Sequence, residues 1–521
     1  MPVIGIDLGT TNSCAAVIEG GRPLVIPLHD GKVTMPSMVA FGPGGTLVGE
    51  AAKRQFVNNV ENTVYAAKRL LGRHFEDLHT QKAIASLTYK CVGGPNGDVW
   101  VVAGERKRAI QEISAMVLAE IKEACRRHLA QDVTQAVIAV PAYFNDRQRH
   151  ATKQAAKIAG LEVIRVINEP TAAALAFGLD KGGERRVAVY DLGGGTFDVS
   201  VLKVGGGAIE VLASAGDAFL GGNDFDQRLY EWLKWRVQEQ CGVDVTIETK
   251  SAHRLFEAAE AAKIRLSGET KAKIALPFLA TTAQGQSIHF ECDIDRATFE
   301  TLVGDLVDET LRTFTDTITA AGLKPTDIDE VLLVGGMTRM PVIRERVRAV
   351  TAVEPATGVH PDLVVAVGAA VQAAMLTEGA IPAVLLDVTP HNLGVLTVAG
   401  LSETVIPKNS RVPADMVRRF TTVSDNQQLV RIVVFQGDNR HIDKNEILAE
   451  FRLEDLRPAP RGQIEIDVAF SISPEGIVHV TATDVETGNL QTINISGAVG
   501  LPEQEVVRMA AEQARELSTS H

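Results

Sequence analysis

Aromatic residues are scarce in this 521-residue chain, which has 17 Phe, 5 Tyr and 3 Trp, about 5 % of the total. Glycine is not scarce: its 45 residues point to many tight turns and close backbone approaches. The five cysteines, Cys14, Cys91, Cys125, Cys241 and Cys292, are dispersed and form no Cys-x-x-Cys pair. That excludes a disulfide frame and a zinc site, and it fits reduced thiols in a cytoplasmic protein. Excess positive charge is also missing. The formal net charge is −13 and no basic stripe appears, which argues against nucleic acid as a main partner. No run reaches the roughly 18 apolar residues of a membrane span. The start, Met1-Pro2-Val3-Ile4-Gly5-Ile6-Asp7, lacks the charged and apolar regions of a signal peptide. With 45 % apolar and 22 % charged residues, wholesale disorder is excluded. The length suggests about three domains.

Residues 1–380 read as strands alternating with helices, the pattern of an α/β architecture. Val3–Leu8, Ala136–Val140, Arg186–Leu192 and Val331–Val334 are short apolar strands. Helical periodicity runs through 112–129 and 296–321. Two segments resemble each other: Gly5-Ile6-Asp7-Leu8-Gly9-Thr10-Thr11 and Tyr190-Asp191-Leu192-Gly193-Gly194-Gly195-Thr196. The repeat, with Asp191 184 positions after Asp7, predicts two related lobes facing one cleft. Residues 381–389 form an apolar linker. Beyond it, Ile464, Ile466, Val468 and Phe470 alternate with polar neighbours, as do Val478, Val480 and Ala482, so 390–500 reads as an antiparallel β-domain. Pro474-Glu475-Gly476 reads as one of its turns. Residues 501–521 read as a short helix with Val506, Met509, Ala510 and Leu517 on one face.

The chemistry gathers at three glycine clusters on strand ends, 9–11, 193–196 and 335–338. A glycine hairpin offers backbone N–H groups to phosphate oxygens and lets them approach closely. Plain turn geometry is the structural reading of the same glycines. The flanking Asp7 and Asp191 could hold a hydrated Mg²⁺, and Asp198 follows Thr196 by two positions. Phosphoanhydride hydrolysis also needs a cation on the transferring group and an oriented water. Lys68 in Ala67-Lys68-Arg69-Leu70 and Glu169 in Asn168-Glu169-Pro170 are candidates. Taken alone, they read as a solvated helix face and a helix-start charge.

Four motifs, Ile6-Asp7-Leu8-Gly9-Thr10-Thr11-Asn12-Ser13, Val140-Pro141-Ala142-Tyr143-Phe144-Asn145-Asp146, Ile167-Asn168-Glu169-Pro170-Thr171 and Asp191-Leu192-Gly193-Gly194-Gly195-Thr196-Phe197-Asp198, occur in order, followed by Val334-Gly335-Gly336-Met337-Thr338-Arg339. Together they resemble the signatures of the seventy-kilodalton heat-shock chaperones, in a short-lid form. The resemblance implies an actin-like, duplicated ribonuclease-H-like ATPase domain over 1–380, a hydrophobic linker, and a peptide-binding β-sandwich. It implies an ATP-dependent chaperone, active in the stress response and stimulated by a J-domain co-chaperone. ATP or ADP, Mg²⁺ and K⁺ would be its cofactors. Unfolded, extended apolar peptides would be its clients, and a nucleotide-exchange factor a further partner.

By the same resemblance, Gly9, Thr10, Thr11 and Asn12 line the first phosphate hairpin, and Gly193, Gly194, Gly195 and Thr196 the second. Lys68, Glu169, Thr196, Asp198 and Asp7 are catalytic, and Asp7 and Asp191 anchor the metal through water. Glu260, Lys263 and Ser267 hold the adenosine from one side; Gly335, Gly336, Arg339 and Asp362 hold it from the other. Pro141 and Arg149 form the switch between lobes. Arg165, Asn168 and Asp387 meet the co-chaperone, and Leu385 and Leu386 form the docking core of the linker. Val395, Thr397, Val398, Phe420, Thr422, Val423, Gln427, Val430, Ile432 and Ile477 line the peptide pocket. The chain departs from the pattern at the β-branched arch Val398/Val423, at Asn223 and at Met337. Only 19 residues follow Pro502, which implies a reduced lid and fast peptide release. A small-molecule kinase of the same superfamily would leave residues 390–500 without a use. A non-catalytic nucleotide sensor predicts loss of Lys68, Glu169 or Thr196, all of which are present.

Overall fold

The structure is a computed structural model that describes residues 2–28, 31–178, 183–281, 286–378, 384–397, 400–473, 477–495 and 500–519. The arch residue Val398, linker residues 381–383 and the expected turn 474–476 lie outside the described residues.

The first sheet holds β1 (Val3–Asp7), β2 (Asn12–Glu19), β3 (Arg22–Val25), β4 (Gln135–Val140) and β5 (Glu162–Asn168) in the order β5-β4-β1-β2-β3. β1 runs parallel to β4 and antiparallel to β2. Helices α1 (Ile110–Leu129), α2 (Asp146–Ile158) and α3 (Glu169–Gly178) belong to this half. Asn145 caps α2 by accepting the Gln148 N–H at 2.9 Å, while the Gln148 side chain accepts the Asn145 N–H.

The second half repeats the plan. β6 (Arg185–Leu192), β7 (Phe197–Gly205) and β8 (Ala208–Asp217) form an antiparallel meander. Helices α4 (Gly222–Cys241) and α5 (Thr249–Gly268) follow, then the hairpin of β9 (Lys271–Thr281) and β10 (Ser287–Asp295). The periodic stretch 296–321 forms two helices, α6 (Arg296–Leu302) and α7 (Gly304–Ala320). Val303, at ψ 10°, leaves the helical region, and Gly304 beside it has little helix propensity of its own to bridge the break. β11 (Glu330–Val334) then lies parallel to β6, as β4 lies parallel to β1.

Helix α8 (Val364–Glu378) closes the two-lobed body by packing on α3 and β1. Glycine is required at both contacts. A Cβ on Gly368 would stand 1.8 Å from the Ala172 carbonyl oxygen, and one on Gly5 would stand 2.1 Å from the Ala370 nitrogen. Such backbone-on-backbone approach has no room for a side chain.

β12 (Val384–Val388) adds to the edge of β8 in parallel, with Ile209 opposite Leu385 and Glu210 opposite Leu386. The short strand Arg411–Val412 pairs with β12, and eight further strands past residue 390 form two four-stranded sheets. One holds β13 (Leu393–Leu396), β14 (Ser402–Ile406), β16 (Val430–Gln436) and β17 (Glu446–Leu453). The other holds β15 (Ala414–Thr421), β18 (Glu465–Ile472), β19 (Val478–Asp484) and β20 (Leu490–Asn494). Their facing side chains, among them Leu393, Val434, Ile466, Phe470 and Val480, share one apolar core. Helix α9 (Glu503–Thr519) does not join that core. Its Val506 and Met509, with Leu501 before it, pack into the core of the first lobe. Among the described residues no helix is long and apolar enough to cross a membrane.

Candidate functional site

A cavity of about 320 Å³ lies between the lobes. Strand ends bring the glycine clusters to it because β1, β6 and β11 all point their C-terminal ends inward. In the first turn, the Ser37 hydroxyl donates to the Gly9 carbonyl at 2.7 Å and the Ser37 N–H to the Thr11 carbonyl at 2.8 Å, which pins the loop. In the second, the Gly193 N–H donates to the Thr196 carbonyl at 3.0 Å. The start of α4 locks onto it, the N–H groups of Gly222 and Asn223 donating to the carbonyls of Gly193 and Gly194 at 2.9 and 2.7 Å. In the third, Gly335 holds a φ of +82° with the Leu192 carbonyl oxygen 2.3 Å from where a Cβ would stand.

Lys68 and Glu169 form a buried ion pair at 2.5 Å on the cavity floor. Lys68 is therefore not on a solvated helix face. Glu169 does begin α3, but its charge is spent on Lys68. Burial opposes the ammonium, yet Glu169, Asp7 and Asp191 around it hold its pKa above the ordinary lysine value. The carboxylates show the complementary effect. Asp7 is pushed up to about 7 by burial and by Glu169, against Lys68. Asp198 is raised to about 7 by burial and Glu169, although it accepts the Tyr143 N–H at 2.9 Å. Asp191 is raised well above the ordinary range by burial, then by Glu169, Asp198 and Asp7. Asp191, Asp198, Glu169 and the half-buried Asp7 thus gather around Lys68, an excess of acid that a cation would relieve.

Among the described residues no three acidic, histidine or cysteine side chains converge as a direct metal cage. Two carboxylates facing a roomy, phosphate-sized cavity instead fit a cation that keeps most of its water, as Mg²⁺ does.

The far wall is α5, where Glu260, Lys263 and Ser267 line the cavity. The Lys263 Nζ lies 2.7 Å from Asp226 Oδ2 and donates to the Gly222 carbonyl at 3.2 Å. Opposite, Gly335 and Gly336 line the cavity and Arg339 pairs with Asp362 at 2.6 Å at its mouth. Of the residues expected around the nucleotide, two do not line the cavity. Asp198 lies behind it, and Gly195 packs against Thr10 and Arg69. Asn223, Asp226, Ile264, Met337 and Pro361 line it without having been singled out for it. The glycine pair Gly221-Gly222 ahead of Asn223 and Asp226 was the available sequence signal.

Three of the expected coupling residues, Arg149, Asn168 and Asp387, form a connected path. Arg149 donates to the Ala142 and Phe144 carbonyls at 3.1 Å and to the Asn168 Oδ1 at 2.7 Å. The Asn168 amide donates to Asp387 Oδ2 at 2.9 Å, and Asp387 Oδ1 accepts the Val388 N–H at 2.8 Å. Asn168 is the neighbour of Glu169, so the path runs from the cavity floor to β12. Pro141 is buried and starts the turn that carries Tyr143. Arg165 lies on β5, opposite Val137.

The peptide-pocket residues gather only in part. Val395 and Ile432 point into the sandwich core, with Phe420 and Val430 partly buried beside them. Thr422 is buried and Val423 exposed. The Gln427 side chain ties their loop, accepting from the Val423 N–H at 3.0 Å and donating to the Leu429 carbonyl at 2.9 Å. Thr397 donates its N–H to the Leu401 carbonyl at 2.9 Å. Ile477 is a correction. The register sets Phe420 opposite Ile466 and Ala414 opposite Ile472, and Val478 also faces Ile472, so Ile477 lies at the other end of the sheet. Ile464 occupies the near end, its carbonyl accepting the Thr422 N–H at 3.3 Å. The alternation that includes Ile464 was its signal in the sequence.

A family model described as Hsp70 protein matches residues 3–520.

Proposed function

The chain belongs to the Hsp70 family, of chaperones with ATPase activity, and on that premise we propose that ATP hydrolysis in the interlobe cavity gates how 390–500 holds extended apolar peptides. The observation that carries this reading is the buried Lys68–Glu169 pair beneath two glycine hairpins. Backbone N–H groups of the Gly9–Asn12 hairpin and of Gly194 and Gly195 cradle the phosphates. Lys68 sets its charge at the transferring phosphate and Thr196 places its hydroxyl there. Glu169 orients the Lys68 ammonium and a water. Asp198, behind the cavity, takes the proton of the attacking water through one intervening water. Asp7 and Asp191 would hold a hydrated Mg²⁺, which would supply neutralisation of phosphate charge, and K⁺ would be a further cofactor. Glu260, Lys263 and Ser267 face Arg339 and Asp362 across the adenosine.

Hydrolysis reaches the β-sandwich through Asn168, Arg149 and Asp387. Leu385 and Leu386 on β12 are half-buried while that strand is paired to β8. Release of the strand exposes them to water, at roughly 25 cal/mol per Å². The docked form therefore needs lobes that accept the strand. A J-domain co-chaperone bears on Arg165, Asn168 and Asp387, and a nucleotide-exchange factor acts on the open cleft.

The test is the dissociation rate of a fluorescent apolar peptide with ATP and with ADP, alongside ATP turnover of Thr196→Ala. Faster release with ATP and a turnover loss of about 10–100-fold are expected. Equal release rates would refute the gating, and unchanged turnover would refute the role of Thr196.

A further inference from the structure

Between β12 and β13 the chain carries His391, which reaches back from the start of the β-sandwich to the first lobe. Its side chain is 11 % exposed. Its Nε2 lies 3.1 Å from the Tyr143 carbonyl oxygen, and the two rings pack at 4.1 Å. A carbonyl only accepts, so Nε2 carries a proton. On the other side of the ring, Nδ1 faces Asp438 Oδ2 at 3.9 Å.

Tyr143 is not a passive partner. Its N–H donates to Asp198 Oδ1 at 2.9 Å. His391 thus holds the carbonyl of the same residue whose amide positions the carboxylate behind the cavity. We infer that His391 is a positioning residue for the ATPase site, reporting the docked β-sandwich to Asp198 through the Tyr143 backbone. The inference rests on the proposed role of Asp198.

The other charged groups around the ring are accounted for. Lys408 lies 3.3 Å from Asp438 and over the Tyr143 ring at 5.2 Å. Burial opposes charge on Asp438, but His391, Lys408 and the Asn392 N–H hold it down at about 2, so it stays ionised. Asp146, whose N–H donates to the Gln436 side chain at 2.9 Å, is raised by burial to about 6 against the pull of Arg149 and His391. Tyr143, with Arg73 and Asp217 nearby, is raised by burial to about 12 and stays neutral.

The experiment measures kcat and KM for ATP at neutral pH with the full chain. His391→Leu, lacking any donor, lowers kcat about three- to tenfold with KM for ATP unchanged. His391→Gln, whose amide donates to the Tyr143 carbonyl, brings kcat back to within about twofold of wild type. If His391→Leu keeps the wild-type kcat while Asp198→Asn is inactive, the positioning role is overturned. A His391→Gln variant as slow as His391→Leu overturns it as well. Full turnover by Asp198→Asn would instead remove the reading of Asp198 on which the inference stands.

Discussion

The glycine turn after β1 and the glycine turn after β6 share a sequence pattern, a strand topology and a place at the cavity, yet they touch different things. A Cβ on Gly9 would stand 2.0 Å from the carbonyl oxygen of Asn12, inside its own hairpin. A Cβ on Gly194 would stand 1.9 Å from the Thr11 hydroxyl, in the other lobe. The cross-strand partners differ as well. Asp7 faces Cys14, whose thiol burial holds in its neutral form, whereas Asp191 faces Asp198, a second carboxylate. Duplication supplied the geometry twice. The charge was then specialised: one hairpin carries a single acid, the other a pair. Lys68 and Glu169, both from the first lobe, neutralise each other and leave the hairpin acids in excess.

The largest test of that charge arrangement removes the lysine. Lys68→Met is expected to cut ATP turnover by about 10²–10³-fold and, by stranding Glu169, to destabilise the fold by about 3–5 kcal/mol. The double variant Lys68→Met/Glu169→Gln should recover most of the stability and none of the turnover. Denaturant melts and a turnover assay separate the two effects; a double variant as unstable as the single would break the account.

Next come the two turns themselves. Gly194→Ala pushes on the opposite lobe, so it should weaken nucleotide binding at least tenfold while costing little in melting temperature. Gly9→Ala clashes with its own backbone and should instead lower the melting temperature, by roughly 4 °C or more on a cost of about 1–3 kcal/mol. Equal outcomes for the two would mean that the turns are not specialised.

A smaller effect reads the acids directly. The folded pKa values of Asp7 and Asp198 lie near 7, above their unfolded value of 3.8. The native state therefore binds more protons than the unfolded chain, and nucleotide-free stability falls as pH rises from about 4 to 7. Asp7→Asn should flatten that decline, and Mg²⁺ with nucleotide should offset it. Melting temperature against pH is the measurement, and a slope unchanged by Asp7→Asn would argue against a burdened carboxylate there.

The smallest effect is expected at the far end of the path. Asp387→Asn keeps the size of the side chain and removes its charge, at a cost of about 0.5–1.5 kcal/mol in hydrogen bonding. ATP-induced protection of residues 384–388 from proteolysis should drop two- to tenfold. Undiminished protection would separate Asp387 from the coupling.

The hairpins were legible because everything they need is local. A strand, an acid and a glycine turn fit within about eight residues, and the repeat doubled the signal. The helix at 296–321 was legible as periodicity but not as two pieces, since one ψ angle at Val303 decides the break. Lys68 and Glu169 are 101 positions apart, and no spacing rule joins them; only the family resemblance singled them out. Ile477 was misplaced by the same kind of gap. Alternation tells which face of a strand is apolar, whereas register tells which end of the sheet a residue reaches.

By itself, the sequence determined an α/β body with a duplicated phosphate-binding turn, a β-rich region after it, and the family to which both belong. These follow from local turn chemistry and from the periods of apolar residues along the chain. Only the tertiary structure decided that a lysine and a glutamate would share one buried charge pair. The same is true of linker residues 384–388, which became a strand between β8 and Arg411–Val412, and of the histidine that meets the backbone beside the acid behind the cavity. Such pairings depend on packing between distant segments, where burial strengthens charge interactions and leaves each polar group in need of a particular partner.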